Sequence, residues 1–437
     1  MRSARAAALH ALTALAKGRV DRVREGLDAA QVEPREQALA NELAHGVVRR
    51  ERLLDHILGG YAHRGLPKDP QLHVALRLGA YQLLFTHGMP ARAAVHETVE
   101  LVRNNRGFAN ALLRRIADAI ELRPADPERP TSELAMTPTQ TFVLPKPLPD
   151  DLVARLAILH SLPDALLQRW AARFTPAELE RIAVAASAVP PICLRPAGCD
   201  AQTLAQRLAR EHVATAPAAD PRLLRWSGGS SPFATTAFRD GAFVVQDPTA
   251  FAAADAVPCR PGDTVIDLCA APGTKTTWLA ERVRPGGRVV AFDPDPVRRQ
   301  RIVDNATRLG LADVVTVVAE TSARPPAECV LADVPCSNSG VLGRRVEVRR
   351  RIDEQAIREL AALQRELLAQ AIGLTKPGGA CVYSTCSIDA EENEQVVAAV
   401  LGDAAVARCV VERQELTLPV AGERDGGFFA VLRRGGT

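Results

Sequence analysis

Two cysteines with polar neighbours stand out among the residues that can do chemistry. Cys336 lies in A-D-V-P-C-S and Cys386 in Y-S-T-C-S-I, and each follows a short apolar run that predicts a strand. Asp333 ends the first run. A buried cysteine is usually a small apolar residue, and a disulfide is a second alternative. Two thiols that leave strands in Ser/Thr-rich settings favour a catalytic role instead.

A thiol of this kind suits methyl transfer to a ring carbon of a pyrimidine. C5 of cytosine or uracil is a poor nucleophile, and addition of a thiolate at C6 makes C5 enamine-like and able to attack a methyl donor. Loss of the C5 proton and elimination then release the thiol, which is covalent catalysis. Asp333 can hydrogen-bond the N3/N4 edge of the base as a general acid, although a strand-end acid satisfied by backbone amides is its alternative. Spacing alone does not tell which cysteine attacks.

The stretch 264–277, T-V-I-D-L-C-A-A-P-G-T-K-T-T, predicts a strand, a tight turn and a helix. It matches neither the dinucleotide fingerprint nor the P-loop. The acid Asp267 at the strand end favours a cationic ligand such as S-adenosylmethionine over a polyphosphate. Cys269 is expected to pack against the backbone rather than act as a third catalytic thiol. The predicted cofactor loop comprises Cys269, Ala270, Ala271, Pro272, Gly273, Thr274 and Lys275.

A second acid follows the next predicted strand, in V-V-A-F-D-P-D. Asp293 ends this strand and is predicted to accept hydrogen bonds from ribose hydroxyls. Asp295 lies two residues further on and is predicted to cap the helix that begins near Pro296.

Strands and helices alternate from Gly241 onward and predict a parallel, doubly wound sheet. When the strand at 264–268 is counted as the first, the first, fourth and fifth strands are neighbours in this class of sheet. Both cysteines should therefore face the pocket beside Asp267. A final hairpin, 406–413 and 427–433, fits the antiparallel edge of S-adenosylmethionine-dependent methyltransferases. Strands are predicted at 241–246, 264–268, 287–292, 314–319, 329–333 and 380–385, with a long helix at 354–374.

The chain before Gly241 divides into three predicted regions. Residues 1–123 show helical spacing throughout and predict an all-α bundle. Residues 124–150 contain seven prolines, which predict a linker without regular elements. Residues 151–240 mix helix and strand signals and predict a small α+β module with an RNA-binding role.

Composition sets limits on the class of protein. The 437 residues suffice for two or three domains, and the net charge of +3 neither demands nor excludes nucleic acid. No apolar run has membrane-spanning length and no signal-peptide pattern begins the chain, so a cytoplasmic protein is expected. Nine cysteines without a C-x-x-C pair predict neither a disulfide framework nor a metal site. The oligomeric state stays open, with a monomer expected.

Together these motifs resemble the Sun (Nop2/Sun) family of RNA cytosine-C5 methyltransferases. D-L-C-A-A-P-G-T-K-T, D-V-P-C-S-N-S-G-V-L and Y-S-T-C-S-I-D-A-E-E-N-E carry the resemblance over about 240–434. L-R-L-G-A-Y-Q-L-L-F-T, P-A-R-A-A-V-H-E-T-V-E and F-A-N-A-L-L-R-R-I, within 76–116, look like a NusB-type RNA-binding domain. The combination is similar to the family's 16S ribosomal RNA methyltransferases. It implies a NusB-like bundle, the α+β module and a C-terminal α/β Rossmann-like class I methyltransferase domain at 241–437.

The resemblance also implies roles for single residues. Cys386 would attack the base and Cys336 would assist product release, with S-adenosylmethionine as cofactor and 16S ribosomal RNA as partner. Lys275 would contact a substrate phosphate or Asp333. The densest basic cluster of the chain follows Cys336 and is the candidate for RNA backbone contacts. Its predicted RNA-binding residues are Arg344, Arg345, Arg349 and Arg350.

The sequence departs from the family at four positions. Val346 and Arg350 stand where a proline and a tryptophan are common, which leaves the shape of that loop open. Thr274 replaces a usual glycine, and Thr321 stands where an acid usually meets the adenine, so Glu320 is the substitute candidate. Two alternatives remain: a C5 methyltransferase of transfer RNA or another ribosomal RNA, and a non-catalytic RNA-binding or assembly factor.

Overall fold

The computed structural model describes residues 2–86, 88–229, 231–320, 325–406 and 408–436. The chain forms two compact units, one of Met1–Ser187 with Arg349–Arg351 and the other of Ala188–Val348 with Ile352–Thr437. This division does not follow the predicted limits at 123, 150 and 240. None of the helices in the described ranges is both long and apolar enough to cross a membrane.

Helices make up most of the first unit. The fifth helix is apolar on most sides and buried along its length, as its continuous apolar run predicts. Asp69 caps it by accepting from the amides of Gln71 and Leu72, and Pro70 takes its first position, where no amide donor is needed. The helices are α1 Ala4–Ala16, α2 Val23–Ala30, α3 Gln37–Arg49, α4 Glu51–Tyr61, α5 Pro70–Phe85, α6 Ala91–Leu101, α7 Arg106–Asp118, α8 Leu152–Leu159, α9 Asp164–Ala171 and α10 Pro176–Ser187.

A small antiparallel sheet in the first unit contradicts the predicted linker. Its strands are β1 Ile120–Glu121, β2 Glu133–Thr137 and β3 Gln140–Val143, in the order β1-β3-β2. The fully buried Phe142 pairs with Ile120 on one side and Leu134 on the other. The prolines flank these strands or lie in the β2–β3 turn, as Pro138 does, so they leave the ladder intact.

A four-stranded antiparallel sheet begins the second unit, in the order β5-β6-β4-β7. The strand predicted to open the parallel sheet is in fact β7 of this sheet, where it pairs antiparallel with β4. The predicted α+β module is therefore divided: α8–α10 belong to the first unit and these strands to the second. The elements are β4 Cys193–Pro196, α11 Ala201–Arg210, β5 Thr215–Pro217, β6 Leu224–Trp226, α12 Thr236–Arg239 and β7 Phe243–Val245.

A seven-stranded sheet forms the rest of the second unit and confirms the predicted doubly wound class. Its order is β10-β9-β8-β11-β12-β14-β13; the first five strands are parallel, β14 is antiparallel to β12, and β13 is antiparallel to β14. The elements are α13 Pro248–Asp255, β8 Thr264–Asp267, α14 Thr274–Val283, β9 Arg288–Phe292, α15 Pro296–Arg308, β10 Val315–Val318, β11 Ala327–Asp333, α16 Glu354–Leu374, β12 Thr375–Thr385, α17 Glu394–Leu401, β13 Cys409–Thr417 and β14 Gly427–Arg434.

The order of the parallel strands reverses between β8 and β11, and this switch point locates the site. Sequential strands proceed one way from β8 to β10 and the other way from β11 to β12. Crevices for ligands open at the carboxyl ends of the strands beside such a reversal. Apolar side chains of both faces, such as Val330 and Val382, are fully buried and fix the strand ends that carry the polar residues.

Candidate active site

The loops that follow β11 and β12 bring the two predicted cysteines together. Cys336 Sγ lies 3.1 Å from Cys386 Sγ. The strands are parallel neighbours, with Asp333 paired to Ser384, so their carboxyl ends meet at one edge of the sheet. Both are free thiols.

The surroundings of the two thiols differ. Cys336 is 9% exposed, and its pKa is raised well above the ordinary value by its hydrogen bond with Cys386 and by burial. Cys386 is more exposed and lines a cavity of about 410 Å³. Its thiol also lies 3.3 Å from the side-chain oxygen of Asn338. Cys386 is therefore the thiol open to a ligand, while Cys336 stays protonated behind it.

Asp333 is held between two donors on the same cavity wall. Lys275 Nζ donates to Oδ2 at 2.6 Å and Ser384 Oγ donates to Oδ1 at 2.7 Å. Burial acts to lower the pKa of Lys275, but the charge and hydrogen bond of Asp333 outweigh it and the pKa is raised. Lys275 therefore carries its charge beside the carboxylate and orients it toward the cavity.

A second wall of the cavity carries an arginine between two aspartates. Arg344 Nε donates to Asp425 Oδ2 at 2.7 Å, and its NH2 group lies 3.4 Å from Asp247 Oδ2. Burial, and then the charge of Asp425, raise the pKa of Asp247 to about 6. Arg345 also lines the cavity and is exposed. Two of the four predicted RNA-binding arginines thus border the same cavity as Cys386.

Close backbone contacts join the loops around this cavity. The amide of Gly340 donates to the Cys386 carbonyl at 3.0 Å, and the amide of Gly426 donates to the Gly340 carbonyl at 2.8 Å. A Cβ at Gly340 would lie 2.7 Å from the Gly426 backbone and 2.8 Å from the Cys386 oxygen. Only glycine permits this approach, so the loop after Cys336 sets the position of Cys386 as well.

On the other side of the switch point, Asp267 ends β8 and is 1% exposed. Thr276 donates to Oδ2 at 2.7 Å, whereas Oδ1 has no hydrogen-bond partner among the described residues. Burial raises the pKa of Asp267 to about 7, against the effect of the Thr276 hydrogen bond. A buried acceptor without a donor is costly, and a ligand with a positive charge or N–H groups would satisfy it.

The predicted cofactor loop, 269–275, connects β8 to α14. Gly273 precedes α14 with φ of 97°, and Asn305 donates to the Pro272 carbonyl at 2.9 Å. Burial raises the pKa of Cys269 to about 12. Ala270 is buried, and Thr274 and Lys275 begin the helix.

The acid at the end of β9 is 1% exposed. Asp293 accepts from the amide of Asp295 at 3.0 Å and lies 3.2 Å from Arg298. A carboxylate has about four acceptor positions, so capacity for ribose hydroxyls remains. Asp295 caps α15 as predicted, by accepting from the amides of Val297 and Arg298. Glu320 is exposed after β10, while Thr321 lies outside the described residues.

The other two predicted RNA-binding arginines belong to the first unit and are engaged there. Arg350 pairs with Glu51 at 2.6 Å. Arg349 is only 4% exposed, because its guanidinium donates at 2.6–3.2 Å to the carbonyls of Arg49, His160, Ser161 and Ala186. Arg349 thus has few N–H donors left for a phosphate. The sequence showed only a cluster of charges and did not reveal that this arginine is buried.

Sequence reasoning missed several polar residues around the thiols. Ser384 and Asn338 contact Asp333 and Cys386, and Glu392 and Asn393 lie buried beneath the two loops. All four fall inside the motifs quoted for the family. A polar residue within a motif of small residues was a signal that could have marked them. The hydrogen-bond partner of each residue, however, depends on the path of the loops.

The arrangement can add a thiol to an electron-poor ring bond and stabilise the charge that develops, beside a buried site for a cationic ligand. Together, the seven-stranded sheet with its antiparallel edge and the acids that end β8 and follow β9 define a methyltransferase. Residues 255–428 match the family described as 16S rRNA methyltransferase RsmB/F, and residues 2–118 match the NusB family. The chain belongs to the RsmB/F family of RNA methyltransferases.

Individual relatives agree with this assignment. The chain is 32% identical over 424 residues to "Ribosomal RNA small subunit methyltransferase B" of Escherichia coli O157:H7, covering 92% of this chain and 91% of the relative. It is 32% identical over 386 residues to the "Probable ribosomal RNA small subunit methyltransferase B" of Synechocystis, covering 85% and 82%.

Among solved structures, PH0851 is similar over 99% of both chains, with a TM-score of 0.74 and 23% identity. NSun6 from Pyrococcus horikoshii with SFG has a TM-score of 0.56 and 19% identity, and covers 62% of this chain and 98% of its own. These likenesses show the fold.

Proposed function

We propose that this protein transfers a methyl group from S-adenosylmethionine to C5 of a cytosine in 16S ribosomal RNA, through a covalent bond between Cys386 and C6 of the base. The observation that carries the proposal is the pair of thiols 3.1 Å apart at the edge of a cavity that also holds Asp333 and Lys275. Methyl transfer to oxygen or to an exocyclic nitrogen needs no thiol, so this pair favours a ring carbon as acceptor.

Cys386 is the nucleophile in this proposal because it is the thiol that lines the cavity. Its thiolate bonds to C6, and the electron pair of the C5–C6 bond becomes available at C5 for the methyl group. Cys336 lies behind it with a raised pKa and therefore keeps its proton. Release is an elimination in which the electron pair of the C5–H bond re-forms the C5–C6 double bond and the Cys386–C6 bond breaks. The departing Cys386 sulfur takes the Cys336 proton, and Cys336 takes the C5 proton.

Asp333 and Lys275 stabilise the base during addition. As the thiolate adds at C6, its negative charge passes into the ring and is delocalised over C5, N3 and O2. Asp333, oriented by Lys275 and Ser384, meets the N3/N4 edge, and the Lys275 charge lies beside it. Donors and charges held in advance of the reaction stabilise the developing charge without reorganisation.

The acidic residues at the ends of β8 and β9 have the chemistry needed to bind S-adenosylmethionine. Bound there, S-adenosylmethionine supplies an electrophilic methyl group. The buried Oδ1 of Asp267 would accept from its amine or lie near its positive sulfur, and Asp293 would accept from the ribose. The small residues of the 269–273 loop let a ligand approach the backbone. Glu320 is the proposed contact to the adenine.

The cavity wall with Arg344 and Arg345 supports RNA as the partner. A base reaches a pocket of this kind only when it is single-stranded or turned out of its stack. Arg344 is held by Asp425 and Asp247, and Arg345 is exposed on the same wall. In this proposal both contact the phosphates beside such a base. The similarity to small-subunit rRNA methyltransferases favours 16S ribosomal RNA over transfer RNA.

Bisulfite mapping tests this function. The 16S ribosomal and transfer RNAs from cells that lack the protein are compared with those from cells that produce the native chain or Cys386→Ala. We expect one 16S cytosine to resist conversion only with the native chain. Protection that appears only in transfer RNA would contradict the substrate, and protection that persists with Cys386→Ala would contradict the mechanism.

A further inference from the structure

Two adjacent residues beneath the thiols, Glu392 and Asn393, are completely buried. Glu392 ends the short turn Ala390–Glu392, and Asn393 directly precedes α17, which starts at Glu394. Neither borders the cavity. Glu392 directs most of its hydrogen bonds to the Cys336 loop, with a further one to Ser387, whereas Asn393 directs its side chain to the Cys386 loop. This difference carries the inference.

Glu392 holds the loop of Cys336. Its Oε1 accepts from the Ser337 amide at 2.8 Å and from Gln364 Nε2 at 3.0 Å, while Oε2 accepts from Ser337 Oγ at 2.5 Å. Gln364 also donates to the Pro335 carbonyl at 2.8 Å. The residues on both sides of Cys336 are therefore tied to one buried carboxylate and its partner.

Asn393 holds the loop of Cys386 in the same manner. Its Oδ1 accepts from Thr385 Oγ1 at 2.6 Å, and its Nδ2 donates to the Ser387 carbonyl at 3.0 Å. These are the residues immediately before and after Cys386. An amide is required here because one contact needs an acceptor and the other needs a donor.

A buried carboxylate is expensive unless its hydrogen bonds are complete. Burial raises the pKa of Glu392, while its hydrogen bonds with Ser337, Ser387 and Gln364 oppose the rise. Its side-chain contacts include both polar groups of the residue that follows Cys336. The hydroxyl of Tyr383 donates to the Glu392 carbonyl, so strand β12 fixes the backbone that carries both side chains.

We propose that Glu392 and Asn393 are positioning residues with separate tasks, Glu392 for the releasing thiol Cys336 and Asn393 for the attacking thiol Cys386. Because they are consecutive, they also couple the two loops and keep the thiols at their 3.1 Å separation. The inference rests on the proposed function, which gives the two thiols different steps.

The test separates adduct formation from adduct release. Native protein, Glu392→Ala, Asn393→Ala, Cys336→Ala and Cys386→Ala are each mixed with unmethylated 16S ribosomal RNA transcript and labelled S-adenosylmethionine. The readouts are the rate of a single turnover and the fraction of RNA that remains joined to protein on a denaturing gel. Misplacement of a reacting group by about 1 Å costs on the order of 10²-fold in rate.

We expect Asn393→Ala to slow the first turnover about 10²-fold without accumulating an adduct. Glu392→Ala should complete a first turnover within about threefold of the native rate but retain the adduct, as is also expected of Cys336→Ala. Glu392→Gln should restore release, because a carboxamide oxygen can serve both N–H donors and the Ser337 hydroxyl can rotate.

Thr375→Val is the matched control. Thr375 is a fully buried residue at the opposite end of β12, and its hydroxyl donates to the Ala371 carbonyl at 2.8 Å. We expect native rates from it. Should an alanine variant fail to fold, Ser337→Ala and Thr385→Val remove one contact from each loop and are expected to show the same division.

Equal losses in both variants without any adduct would overturn the inference, since a general loss of structure does not distinguish two steps. Native behaviour of both would overturn it as well. If the native protein transfers no label to the RNA, the proposed function fails and this inference falls with it. If the native protein and the cysteine variants behave as proposed but Glu392 and Asn393 behave alike, this inference alone fails.

Discussion

The ends of β8 and β9 differ from the ends of β11 and β12 in how much of their hydrogen-bonding capacity the protein itself uses. We call the carboxyl ends of β8 and β9 the cofactor end, and those of β11 and β12 the thiol end. At the thiol end, both oxygens of Asp333 have donors, and Cys386 has two partners. At the cofactor end, Asp267 is more deeply buried, yet Oδ1 has no partner in the described parts of the chain.

This difference indicates which groups arrive from outside. The thiol end is assembled before a substrate enters, as groups that stabilise a transition state must be. The cofactor end leaves a buried acceptor open, and burial raises the pKa of Asp267 to about 7 against the hydrogen bond of Thr276 and the charge of Lys275. The thiol end should therefore respond to substitution through the rate, and the cofactor end through affinity.

The largest expected effect at the thiol end comes from Cys386→Ala. Without a nucleophile, methyl transfer to 16S ribosomal RNA should fall by on the order of 10⁴-fold or more, while S-adenosylmethionine still binds. A filter assay with labelled cofactor measures the transfer and calorimetry measures the binding. Cys199→Ala, at an exposed cysteine of the same unit, is the control and should keep native activity. Full turnover by Cys386→Ala would remove the distinction between the two ends.

Cys336→Ala should reduce turnover nearly as strongly as Cys386→Ala, but it should leave a covalent protein–RNA adduct. The Cys386–C6 bond should form and the methyl group transfer once, after which the RNA stays joined to the protein because the releasing thiol is missing. A denaturing gel with labelled RNA detects the adduct, and the double variant Cys336→Ala, Cys386→Ala should show none. Normal turnover by Cys336→Ala would contradict a role in release.

The thiol end also shows which parts of the site could be predicted from the sequence. Strand-end residues such as Cys336, Cys386 and Asp333 could be placed from the sequence because parallel neighbours bring their carboxyl ends together. Glu392 and Asn393 could not, since their partners depend on the path of two loops. Arg349 lies in a charged cluster and looked exposed, but backbone carbonyls distant in sequence bury it.

The same distinction holds for the fold. Periodicity predicted the parallel strands and the helical bundle, because each buries a regular apolar pattern. It failed over 124–150, where prolines were taken to exclude strands. There β2 and β3 fit between the prolines and bury Phe142. Phe142 pairs with Ile120 and Leu134, and no local sequence pattern reveals this pairing.

Asp333→Asn should cause an intermediate effect at the thiol end. The amide keeps a polar group at the edge of the base but loses the charge that Lys275 and Ser384 orient, so the single-turnover rate should fall about 10²-fold. The affinity for S-adenosylmethionine should stay within about threefold, because the change lies at the thiol end. Asp313→Asn, at an exposed acid, is the matched control. A loss of cofactor affinity without a loss of rate would reverse the assignment of Asp333.

The smallest expected effect lies at the cofactor end and depends on pH. With a pKa of about 7, Asp267 is mostly protonated at pH 6 and mostly ionised at pH 8. If a cationic ligand binds the carboxylate, its affinity should rise with pH and be about tenfold weaker at pH 6 than at pH 8, because only about a tenth of the sites are then ionised. Calorimetry with S-adenosylmethionine between pH 6 and 8 measures this slope. Asp267→Asn should bind weakly with no slope over that range, whereas Asp263→Asn, just before the opposite end of β8, should keep it. A flat profile for the native protein would mean that the buried carboxylate does not meet the ligand's charge, and the cofactor end would then resemble the thiol end in needing no external partner.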